Sequence, residues 1–528
     1  MAARFFSSLL LITQLTGSPA SAHDEPHGPG NEPAGLGRVL GKVEFPTSTR
    51  SAEAQAAFEQ GMLLLHLFEY PYAEAEFQRA QEIDPEFGMA YWGEAMVHNH
   101  PVWDQQAPDK ARAVLNRFAP TAAARAAKLG SVKERDHFES LEILYGPAEG
   151  RAPKAQRDRA YERFLGEMAQ RYPHDIEVRL FHALAIMGAH AGVRDIPAYM
   201  ESTALSQSVF YAHRDHPGAA HYLIHGVDDP VHAPLGLEAA RALYKLAPDA
   251  GHSLHMTSHI FTALGMWDDV VIANTNAINV ANAMRAERGG RLVNVGHYNF
   301  WLLYGLLQQG RQSDARALLT TAYEEIDATG EQPRERMILD PDDDIVGSLV
   351  QMWARYMLET GGNEADVAQW QFNLADAFDP NLNVIYVRAM LAQDPAAIEE
   401  QLARFIELEG GVREAVMAMP EPAPFDLLYL DRLDVIEQQL RAALARANGD
   451  GDKALEYARE ASRLEGEMPY SFGPPFVDYP SAQLLGELAF DLGQYEEAVK
   501  AFSQQLRRSR RKVQAVEGLA RAEKALGM

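Results

Sequence analysis

From Ala54 onward the apolar positions recur at the three- and four-residue spacing of helices, in Ala-, Leu- and Glu-rich segments broken by Pro, Gly and Asp. No stretch sustains the alternation of a strand, so the chain is predicted to be all-α. In EYPYAEAEFQRAQEIDPEFGMAYWGEAM, Tyr70, Ala73, Phe77, Ala80 and Pro85 fall at the spacing of a helix-turn-helix repeat, and the small alanines let paired helices approach. The arrangement recurs in LGELAFDLGQYEEAVKAFSQQL, through Leu485, Gly486, Gly493, Tyr495, Ala498 and Phe502. It returns in ALGMWDDVVIANTNAI, through Gly265, Trp267 and Ala277. Around Asp104 to Asp175 and Met284 to Asn294 the pattern breaks, which predicts irregular or lengthened repeats.

This spacing resembles the tetratricopeptide repeat (TPR), whose period is about 34 residues. The chain further resembles a widespread group of exported bacterial TPR proteins. The likeness rests on AYWGEAMVHNHPVW (Ala90 to Trp103), HPGAAHYLIH (His216 to His225), HSLHMTSHIFTALGMWDD (His252 to Asp269) and GPPFVDYPSAQLLGEL (Gly473 to Leu488). It implies a TPR-type α-solenoid of antiparallel helix pairs with a concave groove, and it carries no activity, so the chemistry is read from the residues. The expected organisation is a signal peptide at 1–22, a flexible segment at 23–52 and TPR-like helices with an insertion at 53–175. Central His-rich repeats follow at 176–330, a helical middle region at 331–450 and C-terminal repeats at 451–528.

One stretch changes the picture. His252, His255 and His259 lie at roughly 0°, 300° and 340° around one helix axis, a sector about 60° wide. His221 and His225 stack four residues apart on the preceding helix, with His216 just before its start. His221 and His255 are 34 residues apart, as are His225 and His259, matching the repeat period of about 34. Equivalent places in consecutive repeats sit side by side, so these four imidazoles are expected to converge. Aligning Gly310 with Gly265 makes His297 the counterpart of His252, which adds a further imidazole. The resemblance implies that these places face the groove and are accessible. Trp92, Met96 and His100 occupy comparable places near the first repeat, as do Phe300 and Tyr304 near the third. The remaining His66, His137, His174, His182, His190, His213 and His232 are read as satisfied core residues.

Neutral imidazole ligates zinc, copper, nickel and iron, and crowded imidazoles oppose one another's protonation, a conflict that a cation resolves. The expected site is a four-nitrogen set of His221, His225, His255 and His259. The other arrangement is a pair of neighbouring sites that also uses His252, His297 and a carboxylate from among Asp215, Asp228, Asp229 and Glu94. Cysteine is absent, so the metal is copper or zinc first, with iron or manganese if carboxylates join.

Charge and motifs narrow the functions. A formal charge of -26 disfavours nucleic acid and anionic membranes. HYLIH has Tyr222 where a zinc protease carries its glutamate, and no G-x-S-x-G, Walker or Rossmann pattern occurs. The DPDDD run at Asp340 to Asp344 lacks EF-hand spacing and reads as a solvated loop.

The N-terminus MAARFFSSLLLITQLTGSPASA reads as a cleavable signal, cut after Ala22, for export to a periplasm or beyond, with no transmembrane segment left after cleavage. Cleavage there leaves His23 to His27 as a minor copper-binding terminus on a tether reaching Gly37. The loop SFGPPFVDYP, Ser471 to Pro480, is expected to join helices rather than cover the groove. Three classes stay open: a metal-dependent enzyme, a metal-binding or delivery protein without turnover, and an interaction scaffold. The groove would hold a peptide or a small molecule.

Overall fold

The computed structural model describes residues 38–528 except 193, 291, 330–344 and 375–376. The expected leader, the terminus from His23 to Gly37 and the run Asp340 to Asp344 lie outside the described residues. The chain is an array of paired helices, as its periodicity predicts. Ala52–His66 packs on Tyr70–Ile83, Pro217–Gly226 on Leu237–Leu246 and Gly251–Leu264 on Trp267–Glu287. His297–Gln308 packs on Gln312–Thr329, Pro424–Ala447 on Gly451–Glu467 and Ser481–Asp491 on Tyr495–Arg508. Among the described residues the strands are Asn99–His100 and Gln105–Gln106, an antiparallel pair flanking the 3-10 turn Pro101–Trp103. No described helix is long and apolar enough to cross a membrane.

The repeat spacing works through one packing device used at both ends. Phe77 inserts its ring between Gly61 and Gly93, where an added Cβ would lie 2.7 and 2.4 Å from it. Phe502 is gripped in the same way by Gly486 and Gly518, at 2.8 and 2.4 Å. A large ring on the second helix of a pair therefore needs a residue without a side chain on the helices to either side, and the buried Ala73, Ala80 and Ala498 keep the backbones close.

Residues 38–51 differ from the flexible segment expected there. Leu40, Val43 and Phe45 are buried, Lys42 N donates to Asp215 O at 2.8 Å, and Ser48 N and Oγ both donate to Glu134. Apolar residues within a Pro- and Gly-rich stretch are enough to pin it as an extended strap once a groove receives them.

The array also closes on itself. Helix Ala52–His66 packs on Pro217–Gly226, and Arg510 donates to Pro230 O at 2.9 Å while Trp267 Nε1 donates to Arg511 O at 3.1 Å. All of Pro217–Gly226 and the run Gly251–Thr262 are consequently buried on every side. The open groove that the resemblance implies is here an enclosed interior.

His137 is core as expected, yet not satisfied. It lies between Phe45 and Trp92, and its Nε2 has no hydrogen-bond partner. Burial pushes its imidazole down to about 4 from 6.5. Between those values the unfolded chain binds the extra proton, so stability is complete above pH 6.5 and is lost as the pH falls toward 4. The full loss is about 3 kcal/mol. His137→Phe is expected to flatten the fall in urea midpoint between pH 7 and pH 4.5; an unchanged slope would show that other groups govern acid sensitivity.

Candidate metal centre

Pro217 starts the first histidine helix with its φ already helical, and His216 caps it by accepting from Ala219 N at 3.3 Å. The second ends on Gly265 at φ +67, with Met266 N reaching back to Phe261 O at 2.8 Å. Glu69 Oε1 accepts from His252 N at 2.9 Å and so tethers the start of that helix. These ends set the helix registers, and the registers set where the imidazoles meet.

Six imidazoles form two triads. His221, His225 and His252 present one ligand atom each, all within 4.8 Å of one another, and His255, His259 and His297 do the same. The triads adjoin along two edges: ring centroids of His225 and His259 are 6.3 Å apart, and those of His252 and His255 are 6.2 Å apart. The predicted four-nitrogen set is therefore not a single site. Its two pairs fall into different triads, because His252 turns toward the Pro217–Gly226 helix while His297 arrives from the next repeat.

Hydrogen bonds commit the Nδ1 atom of His221, His255 and His259. His255 Nδ1 meets Asn274 Oδ1 at 2.7 Å, and Asn274 Nδ2 donates to Val270 O at 2.9 Å, so the amide oxygen must accept and His255 Nδ1 must donate. His259 Nδ1 likewise donates to the Asp228 carboxylate at 2.5 Å. The two Nε2 atoms then face each other across 3.0 Å. Two ligands on one tetrahedral ion at ~2.05 Å would stand about 3.3 Å apart, close to this separation.

In the other triad His221 Nδ1 donates to His66 O at 2.7 Å, and its Nε2 faces His225 Nε2 at 3.1 Å. Burial pushes the His221 imidazole down to about 3, with neighbouring rings adding to the effect. Burial first and adjacent imidazoles second hold His225 and His255 well below their ordinary value. These rings are neutral donors at pH 7, the form that ligates metal.

A third group has similar composition and a different meaning. Glu177 accepts from His66 Nε2 at 2.8 Å and His216 Nε2 at 2.9 Å; His66 Nδ1 accepts from the Tyr222 hydroxyl at 2.9 Å, and His216 Nδ1 serves the helix cap. Burial alone would raise the Glu177 carboxyl, but the two imidazoles outweigh it and hold the group well below the usual carboxylate range. Every donor here has its acceptor, so the group braces the helices. His66 and His216 are structural, and His66 further orients His221 through its carbonyl.

Aromatic rings wall the triads. Phe68 lies 4.4 Å from His221 and 5.6 Å from both His225 and His252, and Trp103 lies 5.6 Å from His252. Trp301 stacks on His259 at 4.2 Å, and Tyr298 on His255 at 4.7 Å. Phe68 sits at φ 58, in a helix-ending turn where Glu69 N bonds Leu64 O, a position that ordinarily takes glycine. The strain costs about 1 kcal/mol or more and is offset by the packing of the ring against the triad and against Tyr70, Trp103 and Tyr222.

The Ser471 to Pro480 loop covers the site, against expectation. Phe472 stacks on His259 at 5.5 Å while 45% exposed, and Gly473, at φ +83, lies so close to Trp301 that an added Cβ would come within 2.2 Å of the ring. Buried arginines anchor the loop: Arg355 donates to Asp478 O and Pro475 O at 2.7 and 2.6 Å, and Arg432 to Phe476 O at 2.9 Å.

Other predicted residues lie elsewhere. Trp92 packs with Phe45, His137 and Phe181, and Met96 lines a separate small cavity near Tyr161. His100 stacks on Tyr70 at 4.0 Å, one layer behind the triads. Phe300 and Tyr304 turn toward Arg355; on the same helix Tyr298 and Trp301 take the places at the site. Of the acidic candidates only Asp228 reaches a triad, behind His259 rather than as a ligand. Asp229 pairs with Arg194 and His232, Glu94 with Arg117, and Asp215 bonds the strap through its carbonyl. His174 and His213 are exposed rather than core. Phe68, Trp301 and Asn274 carried no signal in spacing, since each acts through a contact with another segment.

No protein-family profile matches the chain, and no curated protein matches its sequence. Among solved structures, yeast Tom70 is 12% identical, covering 90% of this chain and 96% of that one with a TM-score of 0.35. A human IFIT1 dimer with m7Gppp-AAAA is 10% identical over 91% and 92% at 0.35. The P58(IPK) TPR domain is 13% identical over 90% and 99% at 0.19. Likenesses this low say nothing of function, and the TPR-type α-solenoid rests on the chain's own helix pairing.

Proposed function

We propose that this chain is an exported transition-metal protein with a binuclear six-histidine centre, and that the centre is catalytic. The observation that carries the reading is the pair of adjoining histidine triads, each with three ring nitrogens within 4.8 Å of one another, meeting along ring-to-ring edges of 6.2 and 6.3 Å. Copper and zinc fit nitrogen-only triads; iron and manganese lose support because neither triad includes a carboxylate. Three protein ligands per ion leave a coordination position open, as catalytic sites do and storage sites do not. Delivery of metal to a partner calls for exposed ligands, whereas all of these but the half-buried His297 are buried. A peptide-binding groove has little support, since these imidazoles face one another behind aromatic walls.

Metal analysis of the purified full-length protein tests this. Two ions per chain are expected, and His221→Ala/His255→Ala, which cuts one ligand from each triad, is expected to hold none tightly. Equal metal in both proteins would overturn the proposed centre.

A further inference from the structure

Resting on that reading, we infer that the two triads hold copper and that the copper pair binds dioxygen as a bridge between them. The ligand set is the first argument. Each triad offers three imidazole nitrogens and no carboxylate, a set that suits copper, and copper, unlike zinc, can change oxidation state.

Each copper(I) gives one electron and becomes copper(II), the dioxygen takes both and becomes a two-electron-reduced bridging dianion, and the O–O bond order falls from two to one. No proton moves and the net charge of the centre is unchanged. Dioxygen is the oxidant and the copper pair the reductant.

Geometry supplies the second argument. The triads adjoin along two ring-to-ring edges of 6.2 and 6.3 Å, so one small molecule reaches both ions, the arrangement two-metal sites use. The walls supply the third. Metal-assisted hydrolysis needs a poised acid or base beside the open position. Here Phe68, Trp103, Tyr298, Trp301 and Phe472 line the triads, and Asp228 is tied to a ligand's far nitrogen. A largely aromatic surround with all-nitrogen ligation suits a neutral diatomic gas and poorly suits an activated water.

The test loads full-length protein anaerobically with two equivalents of copper(I), measures bound copper, then admits dioxygen while recording uptake and the near-ultraviolet spectrum. About one dioxygen per two coppers is expected, with a new charge-transfer band, and neither is expected from zinc-loaded protein. His252→Ala, still holding one copper and retaining the wild-type helical circular dichroism, is expected to take up less than a tenth as much per copper. Two coppers bound without uptake, or equal uptake per copper in the variant, would overturn the dioxygen inference and leave the binuclear centre standing. Failure to hold two coppers, with zinc equally refused, would overturn the centre itself.

Discussion

Replacing His252 with alanine is expected to remove one metal ion and spare the other. His252 shares a helix with His255 and His259, yet its ligand atom belongs with His221 and His225. The vacated triad keeps only two nitrogens, and its affinity should fall by more than the roughly 10–100-fold that an outer-shell partner is worth. The ion on His255, His259 and His297 should remain. His297→Ala is the mirror experiment and leaves the ion on the first triad. Metal content after gel filtration, with chelator competition for the ion that stays, separates this from a single site on His221, His225, His255 and His259. In a single site of that kind neither substitution would change the stoichiometry, and that result would refute the two-triad arrangement.

Arg355→Met is expected to cost about 3–5 kcal/mol and to loosen the cover over the site. Arg355 is buried; its guanidinium pairs with Asp478 at 2.8 Å and lies 3.7 Å from Glu359, and its donors hold the carbonyls of Pro475 and Asp478. Methionine of similar length leaves Asp478 to Arg432 alone, at 3.1 Å, and gives two carbonyls no donor. Lys512 still covers Glu359, so the loss falls mainly on the loop. The urea midpoint should drop, and a chelator should strip metal faster because Phe472 and Gly473 no longer lie held against His259 and Trp301. An unchanged midpoint together with an unchanged stripping rate would remove the loop from any part in guarding the centre.

Helices, repeats and shared faces were legible because they follow from local geometry. A helix turns each residue by a fixed angle, so the spacing of His252, His255 and His259 places them on one sector whatever surrounds them. The 34-residue offset likewise brought His225 and His259 to neighbouring rings, as equivalent places in stacked repeats must be. Phe77 and Phe502 read correctly because each needs only its adjacent helices.

Long-range packing decided the rest. Which three imidazoles converge depends on how helices cross and where a lengthened repeat ends, and spacing along one axis carries neither. The free nitrogen on His221 is chosen by the carbonyl of His66, 155 residues away. Enclosure is set by segments still more distant: Phe472 on His259, and Arg510 on Pro230, 280 residues apart. Side-chain periodicity tells which residues face a neighbour; only the closing of the chain on itself decides which neighbour that is, and so turns a row of histidines into two facing triads.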